Sequence, residues 1–241
     1  EYSLNRELLK SNMAGAYMST TLNGCNTRKY HGLLICPVSN FNDEKHLLLS
    51  SLDLSVIQGD EEFNLGIHRY QGGIYNPKGH KYIRNIDFGT VTKFTFRIGS
   101  VVISMERLLT EKKQLVLIRY TLEEATDPVT LRLRPFLAFR NIHSLCKANL
   151  FVNNKYNIVT NGISTRLYDG YPDLFMQFSK SNEYIPVPVW YYNIEYQKEL
   201  NRGYEYLEDL FVPGYFELQV RPGESFIFAA GTEEVNPRSL K

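Results

Sequence analysis

Lys93-Phe94-Thr95-Phe96-Arg97-Ile98-Gly99-Ser100-Val101-Val102-Ile103-Ser104-Met105 decides the fold class. Apolar and polar residues alternate through 93–98, the period of a half-buried strand. Gly99-Ser100 interrupts, an apolar run resumes, and the pattern predicts a hairpin. The same signal recurs outward from it. It appears in the second half of 47–56, in Val129-Thr130-Leu131-Arg132-Leu133-Arg134, and in Tyr215-Phe216-Glu217-Leu218-Gln219-Val220. That last segment stops at Arg221-Pro222-Gly223-Glu224 and restarts at Ser225-Phe226-Ile227-Phe228-Ala229, which reads as a second hairpin. An apolar segment over 114–122 closes at Ala125-Thr126-Asp127-Pro128. Thr165-Arg166-Leu167-Tyr168 ends at the turn Asp169-Gly170, and Leu174–Phe178 follows as a further strand. Many strands with frequent turns predict an all-β fold, a large antiparallel β-sandwich.

Helix is scarce, with one or two short helices expected. Tyr196, Leu200, Tyr204 and Leu207 fall at helical spacing and predict a helix over 195–207, weakened by Gly203. Residues 5–11 allow a short helical turn. No composition break divides the chain. Residues 1–235 are therefore expected to form the sandwich, and 236–241 to begin a linker. On the strand from Val129, one face carries Val129, Leu131 and Leu133. The opposite face carries Thr130, Arg132 and Arg134 and must meet water, carboxylates or a ligand, because a buried unpaired charge is costly.

Lys plus Arg number 27 against 26 Asp plus Glu, so no basic excess points to nucleic acid. No stretch of about 18 apolar residues predicts a membrane span. The sequence starts at Glu1, so the lack of a leader at its start carries nothing about location. Cys25, Cys36 and Cys146 are odd in number and match no zinc spacing. They fit a reducing compartment, and the cytoplasm is the expected location. His31, His46, His68, His80 and His143 include no metal-type pair, so neither metal nor cofactor is expected. His46, His68 and His80 are expected on the surface or in loops. Aromatic residues reach 13%, a usage that suits β-rich cores and also sugar stacking. Alternation across Trp190-Tyr191-Tyr192 would send Trp190 and Tyr192 one way and Tyr191 the other.

The densest polar cluster is Asn23-Gly24-Cys25-Asn26-Thr27-Arg28-Lys29-Tyr30-His31-Gly32-Leu33-Leu34. Asn, Arg, Tyr and His this close together present many hydrogen-bonding groups. They suit a sugar, or equally a turn that satisfies its own backbone. The run from Asn26 to Leu34 resembles the signature opening of bacterial and archaeal glycogen debranching enzymes. That family has Asn-Thr-Arg, any residue, then Tyr-His-Gly-Leu-Leu after a Gly-rich stretch. Here Ala14-Gly15-Ala16 supplies one Gly where the family commonly has a pair. Leu131-Arg132-Leu133-Arg134-Pro135-Phe136-Leu137-Ala138-Phe139-Arg140-Asn141 resembles a second family segment. Trp190-Tyr191-Tyr192-Asn193-Ile194-Glu195-Tyr196, Arg202-Gly203-Tyr204 and Glu208-Asp209-Leu210-Phe211-Val212-Pro213-Gly214 resemble a third.

The resemblance implies a β-supersandwich preceding an (α/α)6 barrel that carries amylo-α-1,6-glucosidase chemistry. It makes Asn26, Thr27, Arg28, Tyr30, His31, Arg134, Arg140, Asn141, Trp190, Tyr191, Glu208 and Asp209 candidates for substrate or domain-interface contact. His143 lies close to Arg140 and Asn141 in sequence and is expected to share their environment. Glycoside hydrolysis needs two carboxylates roughly 5–5.5 Å or 6.5–9.5 Å apart. Asp53, Glu106, Glu195, Glu199, Glu205, Glu208 and Asp209 are the acids to weigh. Glu208-Asp209 is the most suggestive pair. Neighbours on a strand point to opposite faces, so an Arg-paired or solvated acidic turn is the simpler reading. No catalytic residue is assigned to this chain. The expected partners are the barrel and an α-glucan. A stand-alone glucan-binding module and a structural or oligomerisation domain are the alternatives.

Overall fold

The computed structural model describes residues 5–240. Its strands form two antiparallel sheets. The larger has twelve strands. Its main path runs Glu7–Ser11, Tyr17–Thr21, Gly32–Val38, Glu44–Gln58, Val129–Asn141, Leu207–Val212, Val189–Glu195, Ile67–Tyr70 and Ile74–Lys78. Tyr215–Val220 joins it beside Val129–Asn141, with Glu183–Ile185 on its far side, and Glu61–Asn64 pairs the end of Glu44–Gln58. The smaller sheet has eight strands, in the order Tyr156–Val159, Gly162–Thr165, Leu174–Phe178, Ser225–Gly231, Leu115–Glu124, Val101–Leu109, Thr92–Ile98 and Ile83–Phe88.

The hairpin at 93–105 forms as its alternation predicts. Ile98 pairs with Val101 and Phe94 with Met105. Phe94, Phe96 and Ile98 enter the core between the sheets, where they meet Leu52, Leu54, Val56, Leu131 and Leu133. Burial of each such side chain stabilises the fold by about 1.5–3 kcal/mol. On the long Val129–Asn141 strand the even residues point outward. Arg132 and Arg134 meet carboxylates there. Arg132 donates to Glu217 and Glu62, and Arg134 to Glu62. Further along the same face, Phe136 and Ala138 join Ile35, Leu47, Ile194, Tyr196, Leu210 and Val212 in a second apolar cluster. The larger sheet is thus covered on both faces over this region.

Four expectations change. The strands Tyr215–Val220 and Ser225–Gly231 form as elements but do not pair as a hairpin. The first lies in the twelve-stranded sheet and the second in the eight-stranded one. Phe216, Leu218 and Val220 enter the common core from one side, and Phe226, Phe228 and Ala230 from the other. Alternation identifies an inward face without saying which layer it belongs to. Second, the helix over 195–207 shrinks to one turn, Gln197–Leu200. Glu195 still belongs to a strand, and Leu207 opens the neighbouring one. The Tyr196 N–H donates to the Tyr206 carbonyl at 2.8 Å, which closes an arch between these two strands. Gly203 turns the chain at φ 75°. Third, the helical turn expected in 5–11 reaches only Asn5 among the described residues, and strand Glu7–Ser11 follows, paired with Tyr17–Thr21. Fourth, the strand before Asp169-Gly170 is Gly162–Thr165 and ends earlier than expected.

Residues 236–240 lie along the eight-stranded sheet. Gln177 holds Val235 through both backbone groups, and Leu240 packs with Leu115, Ile227 and Ala229. No helix among the described residues is long and apolar enough to cross a membrane.

Candidate functional site

The three motif segments converge on one joint at the outer face of the larger sheet. Its centre is Arg140, which is 5% exposed, and Glu208, which is fully buried. The register between Val129–Asn141 and its neighbour breaks between Leu137 and Arg140, and Phe139 adopts φ 51° there. A non-glycine residue in the left-handed region marks an imposed bulge, which re-aims the side chains near it. Arg140 Nε and Nη2 donate to the two oxygens of Glu208, the second at 3.0 Å. Arg140 Nη2 also reaches the Lys29 carbonyl at 2.8 Å, and Nη1 the Asn141 carbonyl at 3.2 Å. Glu208 further accepts from the Tyr196 hydroxyl and from the Cys146 N–H at 3.0 Å. One ion pair therefore ties the loop 23–31, the segment 141–146 and two strands. Burial acts to lower the Arg140 pKa, yet the Glu208 carboxylate holds it above its ordinary value. Burial, reinforced by Glu208, raises the Tyr196 phenol well above the usual range.

The signature loop is turned largely on itself. Asn26 accepts from the Thr20 hydroxyl at 2.9 Å and donates to Ser50. Thr27 and His31 are buried, at 2% and 1% exposure. His31 Nδ1 accepts the Thr27 N–H at 3.1 Å. The ring proton therefore sits on Nε2, which lies 3.7 Å from Glu7. Burial pushes the His31 pKa down to about 4 against the opposing pull of Glu7. Arg28 pairs with Glu7 at 2.7 Å. Tyr30 is more open, with its hydroxyl 3.2 Å from His143 Nδ1. Lys29 Nζ donates to the His143 carbonyl at 2.9 Å. Asn141 accepts the His143 N–H and donates to Glu44, so His143 shares this environment.

Asp209 is 6% exposed and faces away from Glu208. Its two oxygens accept the N–H groups of Asn193 at 2.8 Å and Ala148 at 2.9 Å. The reading of this pair as a solvated turn is corrected: both acids lie in strand Leu207–Val212 and are buried. Arg pairing holds for Glu208 alone. Arg134 lies apart, in the ion-pair group with Glu62. Trp190 packs on Phe211 and Tyr191 on Phe136, so these two aromatics serve opposite faces of the sheet. Tyr192 is exposed and does not follow Trp190, because the register shifts between Tyr191 and Ile194.

Two histidines expected near the surface are interior. His46 is 5% exposed and bonds the Tyr171 hydroxyl at 2.7 Å. His68 is 7% exposed, with Nε2 2.9 Å from both oxygens of Asp53. Each sits in a strand whose neighbours are apolar, a signal available in Leu47-Leu48-Leu49 and in Ile67. Glu7 is a further joint residue that motif reading passed over, and Tyr196, which ends the third motif's aromatic run, is not among the candidates for contact. Neither role carries a local signal, because Glu7 meets Arg28 across 21 residues and Tyr196 meets Glu208 across 12. Glu195 receives Arg69 at 2.6 Å and the Gly72 N–H at 3.0 Å. Glu199 is enclosed, with neither oxygen in a hydrogen bond and Arg202 at 3.9 Å. The three cysteines are free thiols, and burial pushes Cys25 and Cys36 up to about 12.

Fold and joint define a large two-sheet antiparallel sandwich whose motif acids brace the structure and do not face an open cleft. The family model described as glycogen debranching enzyme N terminal matches residues 6–227, and the chain belongs to that family. A search of curated proteins finds no match. Among solved structures, a bacterial glucoamylase complexed with acarbose is similar, with a TM-score of 0.46 and 9% identity, over 99% of this chain and 32% of that one. A polysaccharide lyase is similar with a TM-score of 0.34 and 13% identity, over 95% of this chain and 33% of that one. The chain spans about a third of the length of these two structures.

Proposed function

We propose that the chain is the non-catalytic N-terminal domain of a glycoside hydrolase that cleaves α-1,6-glucosidic branch points in glycogen or a related α-glucan. Residues 1–235 form the sandwich, and the chain from 236 leads toward an (α/α)6 catalytic barrel. The observation that carries the non-catalytic reading is the state of the acids. All six carboxylate oxygens of Glu195, Glu208 and Asp209 hold a donor from within the chain, and Glu199, whose oxygens hold none, is fully enclosed at 0% exposure. A general acid or nucleophile needs an oxygen free to meet substrate.

The side of the domain beside the joint is suited to the barrel. Leu150 and Phe151 are 100% and 87% exposed, directly after the segment that Glu208 and Asp209 anchor. Exposed apolar side chains grouped on a rim mark an interface. On this reading the joint holds that rim at the edge of the glucan cleft. The test is glucose release from a branched limit dextrin by the purified chain. No release is expected, and measurable release overturns the assignment.

A further inference from the structure

We propose that a cleft at the edge of the sandwich, lined by Arg107, binds a small anion through a phosphate or carboxylate group. This site is separate from the proposed glucan cleft and does not depend on it. The starting point is strand Val101–Leu109. Val101, Ile103, Met105 and Leu109 all enter the core between the sheets. Arg107 shares their parity and therefore points inward among them. An arginine at such a position normally brings an acid with it, because an unpaired buried charge is costly.

Arg107 has none. Among the described residues it makes no hydrogen bond and no ion pair, and its Nε is enclosed without a partner. The Phe94 ring lies beside it, 5.5 Å from the guanidinium carbon. The nearby Tyr120 hydroxyl is also buried and unbonded, so it does not serve as an acceptor. Asp53 lines a small adjoining cavity of about 50 Å³ together with Arg107, but the two form no ion pair, and Asp53 is turned to His68, whose Nε2 lies 2.9 Å from both its oxygens. The contrast with the other interior arginines is complete: Arg69, Arg132, Arg134 and Arg140 each hold a carboxylate.

The guanidinium instead borders a cleft of about 350 Å³ between the Glu7–Ser11 edge of one sheet and the Thr92–Ile98 strand of the other. Lys10 contributes a second cation to the lining. Among the described residues Glu7 is the one acid in the lining, and it is engaged by Arg28 at 2.7 Å. Leu9 and Phe88, 65% and 61% exposed, supply apolar surface beside these charges. The volume is at the lower end of the roughly 300–1,000 Å³ typical of ligand sites, so it suits a small molecule better than a branched oligosaccharide. A guanidinium with free N–H donors in a partly desolvated setting gains most from an anionic oxygen pair, which it meets with two parallel bonds. Phe88 would carry the remainder of a larger ligand such as a sugar phosphate.

The test is calorimetric titration of the whole 241-residue chain with inorganic phosphate, glucose 1-phosphate, succinate and, as the neutral control, glucose. Saturable binding of at least one anion is expected, with glucose binding undetectable. Preference for the phosphates or for succinate identifies the recognised group. Arg107→Met, checked for folding by circular dichroism and Tm, is expected to weaken binding by about tenfold or more, the loss of a charge-assisted pair. Phe88→Ala alters an exposed side chain. It is expected to keep the fold and to weaken glucose 1-phosphate by about threefold, with no change for inorganic phosphate. Absence of saturable binding to all three anions overturns the proposal. So does unchanged affinity in folded Arg107→Met, or glucose binding as tight as glucose 1-phosphate. These outcomes are independent of limit-dextrin hydrolysis, so the two readings fail separately.

Discussion

Arg140 and Arg107 are both strand arginines withdrawn from solvent, yet their surroundings are opposite. Arg140 holds Glu208 with two donors and the Lys29 carbonyl with another. Arg107 holds nothing among the described residues. Arg140 ties three distant segments together, and its charge is compensated from within the chain. Arg107 points into a core lined by Met105, Leu109 and Phe94, where no described residue supplies a counter-charge. The difference teaches that burial of a charge does not itself mark function. What separates a brace from a binding site is whether the chain supplies the counter-charge.

The largest test turns Arg140 into a second Arg107. Glu208→Ala leaves the guanidinium buried and unpaired and also strips the Tyr196 hydroxyl and Cys146 N–H of their acceptor. The expected loss is about 3–5 kcal/mol in urea unfolding. Adding Arg140→Leu removes the stranded charge, so the double variant is expected to recover about 1–3 kcal/mol relative to additivity. Strict additivity would break the claim that the pair acts as a unit.

A neutral buried group gives an intermediate effect with a defined pH window. His31 is held uncharged in the fold, with its pKa lowered from 6.5 to about 4. Between those two values the unfolded chain carries a proton that the folded chain lacks. Stability from this group is therefore complete above pH 6.5 and falls as pH drops toward 4, by about 3 kcal/mol at most. His46 shifts in the same direction through burial and adds to the slope. Glu7, held below its ordinary value by Arg28 and His31 against the effect of burial, extends the loss below 4.5. Urea midpoints from pH 7 to 4.5 should fall in the wild type and flatten in His31→Gln. A parallel fall in both would remove His31 as a source.

Arg107 itself should answer with the opposite sign. Arg107→Met replaces an uncompensated charge by an apolar side chain of similar length in an apolar setting. The expected result is a gain of about 1 kcal/mol, or roughly 2–4 °C in Tm for a chain of this size. A loss of stability would mean that the fold relies on the guanidinium in the absence of ligand.

Much of this contrast is legible in the amino-acid sequence. Alternation over 93–105 and 129–134 locates strands and their inward faces, because a two-residue period is local. It also holds the signal for Arg107, since the parity of Val101, Ile103 and Met105 extends to 107 without interruption. The layer each strand joins is not legible. The Arg221–Glu224 turn suits a hairpin and an arch between sheets equally, and only the shared core distinguishes them. The roles of the motif residues are hidden for a related reason. Arg140 and Glu208 are 68 residues apart, and Glu7 and Arg28 are 21 apart. Their pairing depends on strand register, a bulge at Phe139 and an arch at Tyr196. The signature from Asn26 to Leu34 therefore names the family without showing that Asn26, Thr27 and His31 turn inward.

The smallest expected effect comes from charges that water can serve. Lys113 and Glu233 approach to 3.3 Å, but their side chains are 60% and 70% exposed. Solvent replaces either partner, and salt screens what attraction remains. Lys113→Ala should therefore change stability by less than about 0.5 kcal/mol, read from the same urea titration. Its distance from the Glu208→Ala result separates two explanations of the joint. If ion pairing as such stabilised this fold, both substitutions would cost comparable amounts. If desolvation sets the cost, the exposed pair is silent, the buried pair is large, and Arg107 lies beyond both with the sign reversed.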